Sequence, residues 1–204
     1  NRLGATTATP LADIKTYVAT MRSQERFSGE LPPIYLAALR NKMLDLATEI
    51  SQGAIWANAS LSNISDQLTN IEASRRSEMF LANMVPTVIS EDIAAAQAIH
   101  RKTLVGYVSL PNYRNYWRSC GYDEQIDAFE KILESPNKET RSAEIVAAMD
   151  TEWLNDCTIS GDSDTVREAL WGWSQAGVLP IAVMSSTSGG QAKAVGELFA
   201  AYSN

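Results

Sequence analysis

The fold is decided by the stretch Pro32-Pro33-Ile34-Tyr35-Leu36-Ala37-Ala38-Leu39-Arg40-Asn41-Lys42-Met43. Residues 34–39 form a continuous apolar run, which is typical of a parallel strand covered on both faces. Apolar residues then recur at helical spacing as far as Gly53, and residues 54–57 form a second short apolar run. The pattern therefore predicts strand, helix, strand. The carboxyl end of such a strand is where α/β folds place their ligands.

The rest of the chain continues this alternation, so we predict a single α/β domain over residues 1–204. Residues 106–150 should form a helical excursion rich in Tyr and Trp, which suit a core, a subunit interface or a pocket wall. The expected elements are a helix from Pro10, a helix over 58–75, strands over 79–89, 156–159 and 178–184, and helices over 93–105, 165–175 and 191–202.

Several segments carry a resemblance to a known family. Residues 33–55, Gly177-Val178-Leu179-Pro180 and Ser185-Ser186-Thr187-Ser188-Gly189-Gly190-Gln191 resemble the luciferase-like monooxygenase family, in order from about Pro10 to Tyr202. This family comprises flavin- and deazaflavin-dependent oxidoreductases built on an (α/β)8 TIM barrel. The resemblance covers the later half of that barrel, strands about five to eight with their helices. It implies FMN or an 8-hydroxy-5-deazaflavin as cofactor, hydride transfer through that cofactor, and a small-molecule substrate.

The length of the chain leaves alternatives open. A complete barrel of this type takes about 250 residues, whereas this chain has 204, and the family's early strands cannot be mapped on it. The chain is a fragment, or a partner chain supplies the missing half, or it is a reduced relative. It is then either an oxidoreductase or a non-catalytic half-barrel module for flavin binding or oligomerisation. We expect a homodimer or a partner chain in both cases, because half a barrel has two open edges.

The resemblance also implies cofactor-binding residues at the end of the first strand. By match to the family, Ala37, Ala38 and Leu39 line the phosphate-bearing chain of the cofactor. Arg40 and Asn41 stand where the family commonly has a Gly-Pro pair. Arg40 could obstruct the close approach that glycine permits, supply a guanidinium fork for the phosphate, or lie in solvent. The sequence leaves these three alternatives open.

Two later positions complete the predicted site. Family members place substrate- or cofactor-facing groups after the next strand, which implies a substrate-facing Trp56 and a cofactor-binding Asn58. Core packing is the alternative for Trp56. Ser188, Gly189 and Gly190 form a turn before the last helix, where free N–H groups and the helix dipole can bind an anion. Plain helix capping is the alternative there.

Composition narrows the remaining partners and locations. Acidic residues exceed basic ones by 24 − 17 = 7, which disfavours nucleic acid and anionic membranes as partners. No stretch approaches the about 20 apolar residues of a membrane span, and the polar start Asn1-Arg2-Leu3-Gly4 lacks the apolar core of a signal peptide. We therefore expect a cytoplasmic protein.

The sequence offers little for metal or acid–base chemistry. Cys120 and Cys157 lack metal-ligand spacing and are expected to be reduced, so no metal site is predicted. His100 is the single histidine and lies between an alanine-rich segment and two cations. Such a histidine is expected to be exposed and without a catalytic role. The catalytic residues therefore stay unknown.

Overall fold

The computed structural model describes residues 9–203, so the polar start Asn1–Gly4 discussed above lies outside the described residues. Within that range, helices alternate with strands and a run of helices separates the third strand from the fourth. The elements are α1 (Pro10–Ser23), α2 (Glu25–Ser28), β1 (Tyr35–Ala37), α3 (Asn41–Ile50), β2 (Gly53–Ala57), α4 (Leu61–Leu68), α5 (Ala73–Glu78), β3 (Phe80–Ile89), α6 (Ile93–Val108), α7 (Pro111–Ser119), α8 (Asp123–Glu134), α9 (Arg141–Ala148), α10 (Thr151–Cys157), β4 (Ile159–Gly161), α11 (Ser163–Gln175), β5 (Leu179–Ser185) and α12 (Gln191–Ala201).

The strands form one parallel sheet with β3 at its centre. β2 pairs with residues 80–84 of β3, β4 with residues 87–89, and β5 with residues 82–88. β5 pairs with residues 82–84 of β3, which also pair with β2, and with residues 87–88, which also pair with β4. β5 therefore lies on the opposite edge of β3 from β2 and β4. β4 therefore continues the edge that β2 occupies. β1 pairs with β2 and is one outer strand of the sheet, and β5 is the other.

Local hydrogen bonds and one glycine set several element ends. Asp92 begins α6 by accepting a hydrogen bond from the backbone N of Ala95 at 2.9 Å, and Asp162 begins α11 in the same way through Thr165 at 2.8 Å. Gly177 follows α11 with φ +99°, a left-handed conformation that favours glycine at the end of a helix. These short-range hydrogen bonds set the boundaries of the helices around the sheet.

Helices cover one face of the sheet. The parallel register aligns Trp56 with Asn83 and Pro180, so these side chains point to the same face. α11 and α12 pack over this side of β5, next to Pro180 and Ala182. The buried residues of this covered face are Ala54, Trp56, Leu81, Asn83, Val85, Thr87 and Met184.

The other face of the sheet is apolar and partly exposed, and we call it the open sheet face. Its exposed side chains include Tyr35 of β1 (42% exposed), Met84 of β3 (41%) and Leu179 of β5 (51%), whereas Ala82 and Val88 on the same face are buried. The expectation that the first strand is covered on both faces is therefore wrong, because β1 is an outer strand with Tyr35 and Ala37 exposed.

Residues 106–150 contribute helices and a small aromatic core. Tyr116 and Trp117 of α7 and Phe129 of α8 are fully buried. Trp153 of α10 meets Trp117 and Phe129 edge to face, with ring centroids 4.9 Å and 5.4 Å away. Such contacts stabilise a pair beyond the area it buries. This arrangement favours core packing among the roles considered for these aromatics.

The predicted helix over 58–75 is wrong, because two helices occupy this region. α4 ends at Leu68, where the hydroxyl of Thr69 donates to the carbonyl of Asp66 at 2.6 Å and the amide of Asn70 donates to the carbonyl of Gln67 at 3.0 Å. These side chains satisfy the last helical carbonyls and compete with further turns. Ala73 begins α5 after that break.

The predicted strand over 156–159 is also displaced. The carboxylate of Asp150 accepts hydrogen bonds from the backbone N of Glu152 and Trp153, which starts α10 and extends it through Cys157. Only Ile159–Gly161 remain to pair with β3. Among the helices of residues 9–203, none combines the length and apolarity that a membrane span requires.

Candidate functional site

A cavity of about 790 Å³ lies where β1 ends and α3 begins, and we call it the α3 cavity. The free N–H groups at the start of α3 and the helix dipole favour an anion at such a place. Arg40 and Lys42 add two cations to the lining, and Asp66 adds one anion. Neither cation forms a salt bridge within residues 9–203. The side-chain amides along the cavity belong to Asn41, Asn63, Gln67, Asn70 and Asn112.

The backbone of Arg40 does not need glycine. Arg40 has φ −125° and ψ 157°, an extended conformation that any residue adopts. Its carbonyl accepts hydrogen bonds from the backbone N of Met43 and Leu44, so Arg40 occupies the N-cap position of α3. The side chain is exposed and lines the α3 cavity. If Arg40 obstructs the approach of the cofactor phosphate, it therefore does so through the bulk of its guanidinium group and not through its backbone conformation.

Gln67 lines the α3 cavity, and the sequence analysis did not name it. Its side chain is only 5% exposed, and its Nε2 donates to the carbonyl of Leu39 at 3.1 Å and to Oδ1 of Asn41 at 3.3 Å. Gln67 thus ties α4 to the turn that carries Arg40. The signal was present, because Gln67 falls on the helical stripe of Ile64 and Leu68.

The three residues before Arg40 lie in different environments. Ala37 is exposed at the end of β1, Ala38 is 1% exposed and packs in the core, and Leu39 is half-buried. Their link to the α3 cavity is the carbonyl of Leu39, which accepts the hydrogen bond from Gln67.

Trp56 and Asn58 lie inside the protein. Trp56 is fully buried on the covered face, which favours the core-packing alternative. Asn58 is 3% exposed and has φ +55°, so it turns the chain sharply after β2. Its backbone N donates to the carbonyl of Met84 at 3.1 Å, and its carbonyl accepts from Nε1 of Trp117 at 3.3 Å. The amide nitrogen Nδ2 of Asn58 has no partner within residues 9–203.

The turn before α12 is mostly exposed, and its serines form hydrogen bonds with charged side chains of that helix. Nζ of Lys193 donates to the hydroxyl of Ser188, while the hydroxyl of Ser186 donates to Glu197 at 3.0 Å. Gly190 occupies the N-cap position without a side-chain cap, and Gly189 lies against Lys193. None of Ser188, Gly189 and Gly190 lines the α3 cavity.

The expectation that His100 is exposed is wrong. His100 is 1% exposed, and its Nε2 lies 3.0 Å from the carbonyl of Ile159. Burial lowers its pKa from 6.5 to about 4, partly offset by that contact. Ala96, His100 and Leu104 are four residues apart and share the buried side of α6. This spacing could have indicated burial of His100.

The cysteines are both free, and Cys157 is fully buried. Burial raises the pKa of its thiol, which disfavours the reactive thiolate. Within residues 9–203, no group of three or more His, Cys, Asp or Glu residues is arranged to hold a metal ion.

Comparisons with known proteins agree on the family and the fold. The profile of the luciferase-like monooxygenase family matches residues 7–179. A Mycobacterium tuberculosis protein (strain ATCC 25618 / H37Rv) assigned as a coenzyme F420-dependent oxidoreductase is 28% identical over 170 residues, which cover 76% of this chain and 48% of that protein.

Two solved structures share the fold. The coenzyme F420-dependent tetrahydromethanopterin reductase from Methanopyrus kandleri superimposes with a TM-score of 0.62 at 22% identity, over 83% of this chain and 49% of that one. An F420-dependent secondary alcohol dehydrogenase gives a TM-score of 0.52 at 12% identity, over 83% and 50% of the two chains. The chain thus spans about half the length of the relatives it matches. Because the family profile covers most of the chain and the parallel α/β fold agrees with it, the chain belongs to the luciferase-like monooxygenase family.

Proposed function

We propose that this chain is the cofactor-tail-binding part of a flavin-type oxidoreductase, with a deazaflavin as the cofactor and FMN as the alternative. Membership of the family supports the oxidoreductase class. The relatives named for coenzyme F420 favour the deazaflavin. The matched region spans about half the length of these relatives, so the proposal concerns cofactor binding by this chain and assigns it no complete reaction.

The observation that carries this proposal is the composition of the α3 cavity. It combines a helix N-terminus, two cations that form no salt bridge in the described range, and several side-chain amides. These groups fit an anionic, hydroxylated chain such as the side chain of a flavin or deazaflavin. Arg40 and Lys42 would bind the anionic end, and Gln67 would hold the turn that carries Arg40. The bound cofactor would supply the hydride chemistry.

Binding of the two candidate cofactors tests this function directly. We would titrate the purified chain with coenzyme F420 and with FMN in a calorimeter, and repeat both titrations with Arg40→Ala. We expect coenzyme F420 to bind more tightly than FMN, and Arg40→Ala to weaken both. If neither cofactor binds, the proposal is overturned, and the non-catalytic half-barrel module remains as the alternative.

The open sheet face supports a partner that completes the barrel. β1 and β5 lie at the two edges of the sheet. The strands follow the order β1, β2, β3, β5, and the short β4 lies beside β3 on the same side as β2. A two-fold axis along the strands would set β5 of one copy parallel to β1 of a second copy at both seams. Such a homodimer would enclose the apolar side chains of the open sheet face. A separate chain with parallel strands is the other source, and native mass spectrometry distinguishes the two by mass.

A further inference from the structure

Two helices besides α3 contribute polar side chains to the α3 cavity. From α4 these are Asn63, Asp66 and Gln67, and from α7 they are Asn112 and Ser119. The positions on α4 are three or four residues apart, so they share one side of that helix. On α7, the fully buried Tyr116 follows Asn112 by four residues and precedes Ser119 by three, which places it on the same side of α7. The placement of α4 relative to α7 therefore affects the shape of the cavity.

The start of α4 is held by hydrogen bonds from outside the helix. Ser60 occupies the N-cap position, but its side chain caps none of the first N–H groups of α4. The backbone N of Ser60 donates instead to the hydroxyl oxygen of Tyr116 at 3.0 Å, and both residues are fully buried. Two residues earlier, the carbonyl of Asn58 accepts from Nε1 of Trp117 at 3.3 Å. Two buried hydrogen bonds thus join α7 to the chain that enters α4.

The other end of α4 is tied to the turn between β1 and α3. Nε2 of Gln67 donates to the carbonyl of Leu39, directly before Arg40. α4 has 8 residues and is about 12 Å long, which is short enough for it to move as one body. A displacement at Ser60 would therefore move Gln67 and, with it, the turn that carries Arg40.

We propose that Tyr116 is a positioning residue of the α3 cavity, whose hydroxyl fixes the start of α4 and so holds the cavity in the shape that the cofactor requires. This inference rests on the cofactor binding proposed above and extends the site into the helical excursion. Tyr116 itself does not line the cavity, so it acts through Ser60 and α4. Removal of its hydroxyl leaves the buried N–H of Ser60 without its partner. Cofactor binding should weaken about 3- to 10-fold, the effect of one hydrogen bond.

The test compares Tyr116→Phe with wild type by calorimetry with coenzyme F420 and with FMN. Phenylalanine keeps the buried ring and removes only the hydroxyl, and thermal unfolding checks that the variant is folded. Tyr113→Phe is the matched control, because it removes a hydroxyl of the same helix at a residue outside the cavity lining, and it should bind like wild type. Hydrogen exchange measured by mass spectrometry is the second readout. Exchange in Tyr116→Phe should become faster in α4 and stay unchanged in α11.

Tyr122→Phe gives an independent variant of the same helix start. The hydroxyl of Tyr122 donates to the carboxylate of Asp156 at 2.9 Å, and that carboxylate accepts from the backbone N of Ser62 in the first turn of α4. Its removal loosens the start of α4 less directly than Tyr116→Phe. We therefore expect a smaller loss of cofactor affinity in the same direction, which keeps the inference testable if Tyr116→Phe does not fold.

The outcomes separate this inference from the proposed function. Weaker cofactor binding in Tyr116→Phe, with wild-type binding in Tyr113→Phe and faster exchange confined to α4, would establish the positioning role. Equal affinities in wild type and Tyr116→Phe, or an equal loss in Tyr113→Phe, would overturn it and leave the cofactor site standing. Faster exchange in α4 and α11 alike would show that the hydroxyl supports the whole fold, which also overturns it. If wild type binds neither cofactor, the proposed function and this inference both fail.

Discussion

Tyr35 and Phe80 stack with ring centroids 4.7 Å apart, although β2 lies between the strands that carry them. The residue between them is Gly53, which pairs with Tyr35 on one side and Phe80 on the other. With no side chain at Gly53, the two rings can meet above the middle strand. This contact lies on the open sheet face, where β1, β2 and β3 begin.

Gly53→Ala should destabilise the fold. An added Cβ would lie 2.2 Å from the carbonyl oxygen of Phe80 and 2.8 Å from the ring of Tyr35. The strands would have to separate, at a cost of about 1–3 kcal/mol or more. Urea unfolding measures the change. Gly106→Ala in α6 is the control, because its Cβ would meet nothing within 4 Å. Equal stabilities for the two variants would contradict the role assigned to Gly53.

The stability of the protein should depend on pH through His100. Its pKa is about 4 in the folded protein against 6.5 ordinarily, so the unfolded chain binds a proton first as pH falls. Neutral His100 therefore gives its full stabilisation above about pH 6.5. As the pH falls towards about 4, protonation of His100 in the unfolded chain lowers the free energy of unfolding by about 3 kcal/mol. Urea unfolding of wild type and His100→Gln at about pH 7.5 and about pH 4.5 measures it. Equal losses in the two proteins would refute this linkage.

Asp156 should stabilise α4 from outside that helix. Its carboxylate accepts hydrogen bonds from the backbone N and the hydroxyl of Ser62, each at 2.8 Å, and from the hydroxyl of Tyr122 at 2.9 Å. Ser62 lies in the first turn of α4, where backbone N–H groups need partners. We expect Asp156→Ala to cost about 1–3 kcal/mol, and Tyr122→Phe about 1 kcal/mol. Thermal or urea unfolding that ranks these two variants equally would argue against the capping role.

Much of this fold was predictable because its signals are local. The predicted strand over 79–89 and the predicted helices from 93 and 165 depend on neighbours a few residues away, and β3, α6 and α11 each begin within two residues of the expected start. The exposure of β1 was not predictable from its own residues. Its apolar run is typical of a buried strand, and its exposure depends on which strands lie beside it.

The end of the first strand was predictable, but the contacts around it were not. The resemblance implied Arg40 as a cofactor-binding residue, which stays a prediction, and Arg40 lines the cavity at that strand end. The role of Gln67 depends on a contact across 28 residues, with the carbonyl of Leu39. Burial of His100 likewise depends on which side of α6 faces β4. The helical spacing of Gln67 and His100 with apolar neighbours indicated burial for both residues. Their polar side chains and nearby charged residues indicated exposure instead.

Arg40→Ala discriminates between recruitment and obstruction. If the guanidinium group binds an anion, the variant should bind phosphate or FMN about 10-fold more weakly, and the wild-type affinity should fall with added salt. If the side chain blocks the site, the variant should bind more tightly. Calorimetry measures both. Lys102→Ala removes an exposed cation of α6 outside the cavity and should bind like wild type.

Met84→Lys tests whether the open sheet face is an interface. Met84 is 41% exposed in the single chain, so a lysine there should change its free energy of unfolding by only about 0.5 kcal/mol. Enclosed by a second set of strands, the same ammonium group would be desolvated without a partner, which prevents association. Native mass spectrometry should therefore show a wild-type dimer and a Met84→Lys monomer. Ile93→Lys in α6 starts from a similar exposure, 43%, and should stay dimeric. A monomeric wild type, or a dimer that survives Met84→Lys, would show that a second copy does not cover this face.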